Sequence, residues 1–291
     1  MSSKPAVGSP PVTGRLPTFY VIGAMKSGTT SLHRAVAEHP SVFMSTPKEL
    51  HYFVEDRNWS RGVEWYAEQF AGANGATAVG EASVTYTQMP FRTGVPERMS
   101  ALTPDARIVY LVRHPIERML SHYRFNLGVG RETRPMMAAF ERRSNYRAFS
   151  QYATQLRCYL DHFPREQLLV LAAERFFSEP ESTVRRIWSH IGVESAGVDV
   201  LPARINATAD MSAPVGAVRT LRNLKGAEAA LKLLPKSTRK RMKRAVPRKS
   251  LGQQRVELLA ADRARLEDEF RAEVAGIAPY VEGPFDNWGL V

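Results

Sequence analysis

The chain carries one cysteine, Cys158, among 291 residues. An intrachain disulfide needs two, and a cysteine-rich zinc site or an iron–sulfur cluster needs more, so all of these are excluded. No apolar run reaches the length of about 18 residues that crosses a bilayer as a helix. The stretch 1–17 is rich in Ser, Pro and Gly and has no continuous apolar core of the kind a secretory signal carries. These absences predict a disordered N-terminal arm over 1–17 and a soluble protein of the reducing cytoplasm.

Acidic residues are scarce in one place only. Between Arg219 and Lys249 stand twelve Lys and Arg against the single acid Glu228, which leaves 28 bases and 28 acids in the rest of the chain and accounts for the whole net charge of +11. A neutral body with one basic segment points to a local anionic partner, such as an anionic membrane surface met by 219–249, or to a solvated basic face. The segment has no interleaved aromatics and no nucleic-acid module, so nucleic acid is not the expected partner. At 44% hydrophobic and 24% charged residues the remainder has an ordinary globular composition. Its length suits one main domain, since single cores stop growing at about 250–300 residues.

Hydrophobic periodicity predicts strands over 18–22, 77–82, 107–112 and 168–172. Helices are expected through Leu32 to Val36, over 62–70, from Pro115 onward, through Tyr152, Leu156 and Tyr159 up to Pro164, and through Val184 to Ile191. RIVYLV, residues 107–112, is nearly all apolar, as a strand covered on both faces should be. Strands alternating with helices predict an α/β, three-layer, P-loop-like fold with a mostly parallel sheet. Residues 18–195 are its expected core, and 196–291 a mainly helical C-terminal part, with a charged helix over 255–277. Together, 18–291 read as one domain.

The most informative stretch is FYVIGAMKSGTTSL, residues 19–32, where a strand runs through a glycine-bounded loop into a helix opening on hydroxyl residues. Gly23 and Gly28 permit tight turns and a close approach of backbone N–H groups, the helix start adds its dipole, and Lys26 adds a full charge. Ser27, Thr29 and Thr30 add hydroxyls, and the whole is anion-binding architecture. It departs from the triphosphatase pattern GxxxxGK[ST], because Thr29 stands where the lysine belongs and the lysine has moved to position 26. The strand RIVYLV ends in Arg113-His114 and not in the aspartate that would help to hold magnesium. A cation at that place suits a second phosphate and argues against triphosphate hydrolysis and a required metal. The histidines at 33, 39, 114, 122, 162 and 190 show no metal-ligand spacing and read as surface or packing residues.

IGAMKSGTTSL, PKELHYF, GEASVTY and IVYLVRHPIERMLSHY, in this order across 18–193, resemble the 3'-phosphoadenosine 5'-phosphosulfate (PAPS) dependent sulfotransferases. The likeness is greatest to the branch of heparan sulfate N- and 3-O-sulfotransferases and their bacterial relatives. The resemblance implies a metal-independent enzyme that moves a sulfuryl group from PAPS to a hydroxyl, or less readily an amine, of a carbohydrate, glycolipid or small metabolite, releasing 3',5'-adenosine bisphosphate (PAP). It implies that 26–30 hold the 5'-phosphosulfate with Lys26 at the leaving oxygen, and that Arg113 and Ser121 hold the 3'-phosphate. PKELHYF implies an acceptor base at Glu49 with His51 orienting the acceptor, or the two roles exchanged. If that segment is extended, both side chains share a face. In the branch a lysine commonly follows the glutamate of GEASVTY, whereas here Glu81 is followed by Ala82. Glu81, Ser83 and Tyr86 are expected to line the pocket, and Arg118 either supports the 3'-phosphate or lies on a helix surface. The loop 248–252 is a candidate to close over the nucleotide. Two other readings of the same loop are a magnesium-dependent nucleotide kinase or NTPase, and a non-catalytic nucleotide- or polyanion-binding protein.

Overall fold

A computed structural model of the chain describes residues 14–200, 212–214, 248–250 and 258–291. Five strands, β1 (Phe19–Gly23), β2 (Val42–Met44), β3 (Ala78–Ala82), β4 (Arg107–Val112) and β5 (Leu168–Ala172), form one sheet in the order β2-β3-β1-β4-β5. Every neighbouring pair is parallel. The expected α/β architecture is therefore present.

Side chains alternate across the sheet because successive strand residues face opposite ways. Tyr20, Ile22, Ile108, Tyr110 and Val112 pack on one face against α2 (Gly62–Glu68), α3 (Val95–Leu102) and α7 (Tyr152–Leu160). Phe19, Val21, Val109 and Leu111 pack on the other against α1 (Thr29–Val36), α8 (Ala173–Ser178) and α9 (Pro180–His190). A third cluster lies between α4 (Pro115–Gly128), α5 (Met136–Arg142), α6 (Asn145–Ala148) and α10 (Ala260–Ile277). Pro115 occupies the first turn of α4, where its missing N–H costs nothing.

The edge strand β2 was not expected. Three residues between Pro40 and Pro47 are too short for a periodic signal, and their place is fixed by pairing with β3. β1 begins one residue later than the pattern predicts, since the Thr18 hydroxyl and N–H are taken up by the backbone of Val79. The basic segment 219–249 lies outside the described residues except at its end, where β7 (Arg248–Ser250) pairs antiparallel with β6 (Ser212–Pro214). Leu251 and Gly252 also lie outside the described residues. Among the described residues no helix is long and apolar enough to cross a membrane.

Candidate active site

The loop from β1 to α1 is built as an anion cradle. The Ala24 N–H donates to Leu111 O across the strand ends, and Ser27 N–H closes back on Ala24 O. Gly28 takes φ +99°, and a Cβ there would lie 2.6 Å from the Phe177 ring, so only glycine fits. α1 then starts with no side-chain cap and no acid in its first turn. Its first N–H groups and dipole are thus left for an external acceptor. The Ser27 hydroxyl is fully buried and meets no partner among the described residues. A buried hydroxyl without a partner is costly unless a ligand supplies one.

Cations gather beside this cradle. Arg113, at the end of β4, donates to the Lys26 carbonyl at 3.2 Å, and the Lys26 ammonium lies 4.7 Å from the Phe125 ring of α4. Burial, then the nearby Arg113 and Arg118, push the Lys26 pKa down. Arg118 does not lie on a helix surface. It is completely buried, donates from Nε to Ser150 Oγ at 2.6 Å and from Nη2 to Tyr146 O, and leaves Nη1 unpaired. Among the described residues, none of the three cations meets a carboxylate within ion-pair distance. Ser121 sits half-buried on α4, and Thr30 is exposed at the start of α1. His114, beside Arg113, caps α4 by accepting from Ile116 N–H, and its own N–H donates to Glu174.

Glu49 and His51 hang from the end of β3. Glu49 N–H donates to Ala82 O, and His51 N–H donates to Ser83 Oγ at 3.0 Å. The segment is not extended: Glu49 has φ +67° and His51 φ +52°. The two side chains nevertheless converge, with His51 Nε2 3.7 Å from Glu49 Oε2. Lys48 Nζ lies 2.8 Å from Glu49 Oε1, so an ammonium stands at this carboxylate even though Ala82 follows Glu81. His51 Nδ1 is 2.8 Å from the buried Thr85 hydroxyl. Burial pushes the His51 pKa down, against the opposing pull of Glu49, which favours a neutral ring near pH 7.

Glu81 does not line a pocket. It is fully buried and accepts hydrogen bonds from Tyr66, Ser83 and Tyr86, and its pKa is raised, above all by burial. Through Ser83 it braces the backbone of His51. Lys48 and Thr85 are the residues that sequence reasoning left unassigned. Thr85 carried a faint signal, standing two residues after Ser83 in GEASVTY.

β1, β3 and β4 thus bring Lys26, Ser27, Arg113, Glu49 and His51 to the C-terminal edge of one parallel sheet, where open α/β sheets bind ligands. The family model for the sulfotransferase domain matches residues 16–277. The chain belongs to the sulfotransferase family. It is 30% identical over 194 residues to heparan sulfate glucosamine 3-O-sulfotransferase 3B1 of Mus musculus, a match covering 62% of this chain and 47% of that protein. It is 37% identical over 123 residues to the membrane-associated sulfotransferase kil1 of Dictyostelium discoideum, covering 40% of this chain and 25% of that protein. The chain therefore spans less than half the length of these curated relatives. The crystal structure of a sulfotransferase from Alicyclobacillus acidocaldarius superposes with a TM-score of 0.68 at 26% identity, covering 94% of this chain and 99% of that one.

Proposed function

We propose that residues 18–291 form one catalytic unit that transfers the sulfuryl group of PAPS to a hydroxyl of a carbohydrate, glycolipid or small-metabolite acceptor, without a metal. The observation that carries this reading is the uncapped start of α1 with the Ser27 hydroxyl, unpartnered among the described residues, flanked by Lys26 and Arg113, which meet no carboxylate among those residues. Such a site fits a ligand bearing two phosphate groups. PAPS, when bound, supplies the sulfuryl group and departs as PAP.

In this reading Lys26 and the N–H groups of Gly28, Thr29 and Thr30, with the hydroxyls of Ser27, Thr29 and Thr30, hold the 5'-phosphosulfate. Lys26 sets positive charge where negative charge grows on the leaving side, a form of preorganised electrostatic stabilisation. Arg113 and Ser121 hold the 3'-phosphate, and the place of Arg113 at the β4 end supports this. Glu49 takes the proton of the acceptor hydroxyl, with His51 oriented beside it. The reducing cytoplasm is the proposed compartment, in keeping with the single cysteine. The surplus of cations over 219–249 supports its docking on an anionic membrane surface.

Calorimetric titration with PAP and with ATP, each in EDTA and in magnesium, tests the reading. Tight PAP binding in EDTA, weakened in Arg113→Ala, is expected. Preference for ATP with magnesium would overturn it in favour of a kinase or NTPase, and binding of neither nucleotide would overturn it outright.

A further inference from the structure

Beside the Glu49–His51 turn lies an open cleft of about 390 Å³ walled by Val54, Glu55 and Asp56 on one side and by Phe91, Arg92, Thr93 and Arg98 on the other. Its first wall follows directly on the Glu49–His51 turn in the chain, Val54 standing three residues after His51. Val54 N–H donates to His51 O, so the first wall begins where the His51 turn closes. From the second wall, the charge of Arg92 reaches His51 and helps to lower its pKa. The volume falls in the range of about 300–1,000 Å³ typical of small-ligand sites.

Its walls have a definite chemistry. Phe91 is 44% exposed, an unusual state for a large aromatic, and its ring is steadied by an edge-to-face contact with Phe149 at 5.7 Å. Arg98 donates from Nε and Nη2 to Phe53 O and from Nη2 to Thr93 O, and acts as scaffold. Arg92 pairs with Asp56 at 3.1 Å, while its Nε is buried without a partner. Counted over the described stretches 48–57 and 91–98, four bases (Lys48, Arg57, Arg92, Arg98) meet four acids (Glu49, Glu55, Asp56, Glu97), so these walls carry no net charge among the described residues. A polyanion such as a sulfated glycosaminoglycan is held by an excess of cations, which the described walls of this cleft do not offer.

We infer that this cleft receives an uncharged sugar ring, whose apolar face lies on Phe91 and whose hydroxyls meet the Arg92–Asp56 pair and Thr93. The inference rests on the proposed sulfotransferase reading, and it narrows the acceptor to a neutral glycoside. An aromatic platform with one paired cation and anion suits a ring with an apolar face and adjacent hydroxyl groups, since each hydroxyl both donates and accepts.

The test uses the full chain saturated with PAP. Methyl glucoside, methyl galactoside and methyl mannoside are titrated by saturation-transfer NMR, alongside heparan sulfate, with the wild type, Phe91→Ala and Asp56→Asn. Saturable binding of at least one methyl glycoside is expected, weakened roughly three- to tenfold in Phe91→Ala with PAP affinity unchanged. Phe91 is exposed, so its variant should fold, and Asp56→Asn gives a second reading of the same wall if it does not. Three results overturn the inference: PAP binds but no methyl glycoside does, the glycosides bind equally well to both variants, or heparan sulfate binds in preference to them. Failure to bind PAP at all would instead strike the donor site and the proposed function itself.

Discussion

The Thr85 hydroxyl has one polar partner among the described residues, His51 Nδ1 at 2.8 Å. A buried hydroxyl must place its proton on an acceptor, so Thr85 donates and Nδ1 accepts. The neutral ring then carries its proton on Nε2, the nitrogen facing Glu49. His51 in this tautomer points its proton toward the carboxylate, in keeping with the proposed role of Glu49 as the base. Thr85→Val should release the ring, mix its tautomers in ¹⁵N NMR and slow transfer about fivefold, the worth of about 1 kcal/mol in one hydrogen bond. Thr85→Ser should restore both. An Nδ1-protonated ring in the wild type would refute the assignment.

The two donor-side cations should separate in their effects. Lys26→Ala is expected to lower turnover about 100-fold or more, the scale seen when one preorganised donor to a developing charge is removed. Arg113→Ala should act on binding. Losing one charge-assisted contact of about 1.5–3 kcal/mol weakens PAP roughly 10- to 100-fold, while affinity for 5'-AMP, which lacks the 3'-phosphate, changes little. Single-turnover kinetics and calorimetry distinguish the two.

Arg118 behaves differently, for it belongs to the interior. Its guanidinium binds Ser150 Oγ and Tyr146 O within the cluster that seats α4 on α6. Burial lowers its pKa to about 10, which still leaves it charged at pH 7. Arg118→Ala should remove the donor to Tyr146 O and to Ser150 Oγ, the latter keeping its own bond to Pro115 O, at a cost of about 1–3 kcal/mol. A fall in Tm of several degrees in calorimetry is expected, with Arg113→Ala close to the wild type.

Acid should weaken the fold through His122, which is buried between Tyr146 and Phe149. Burial, reinforced by Arg118 and Lys26, lowers its pKa to about 3. Because the folded value lies below the unfolded value of about 6.5, the unfolded chain binds the proton first. Stability is therefore complete above about pH 6.5 and drains away as the pH falls toward 3, by about 1.4 kcal/mol per unit for this group. Urea denaturation at pH 7 and pH 5 should show His122→Phe losing roughly 2 kcal/mol less than the wild type between the two.

Much of this was readable in the chain because the signals were local. RIVYLV is a strand in its own right, Pro115 marks a helix start, and the glycines, Lys26 and hydroxyls of the anion loop are contiguous. What could not be read depends on distant partners. β2 exists because β3 offers it an edge. Arg118 looks like any helix arginine until Ser150 and Tyr146, about 30 positions on, close over it. Glu81 sits in a motif that suggests a pocket, yet two tyrosines turn it into a buried brace. Glu49 and His51 do meet, but through a left-handed turn that no alternation pattern describes.

That turn has a further consequence. Lys26, Glu49 and His51 all take positive φ, at +74°, +67° and +52°, where a side chain costs about 1–2 kcal/mol relative to glycine. At each of these positions glycine would relax the backbone. A population of variants screened only for resistance to heat should therefore drift toward glycine at 26, 49 and 51, gaining robustness as it sheds chemistry. Asn287 and Trp288, at φ +54° and +52°, should drift the same way without loss of turnover, so only at 26, 49 and 51 would durability and the proposed chemistry pull in opposite directions.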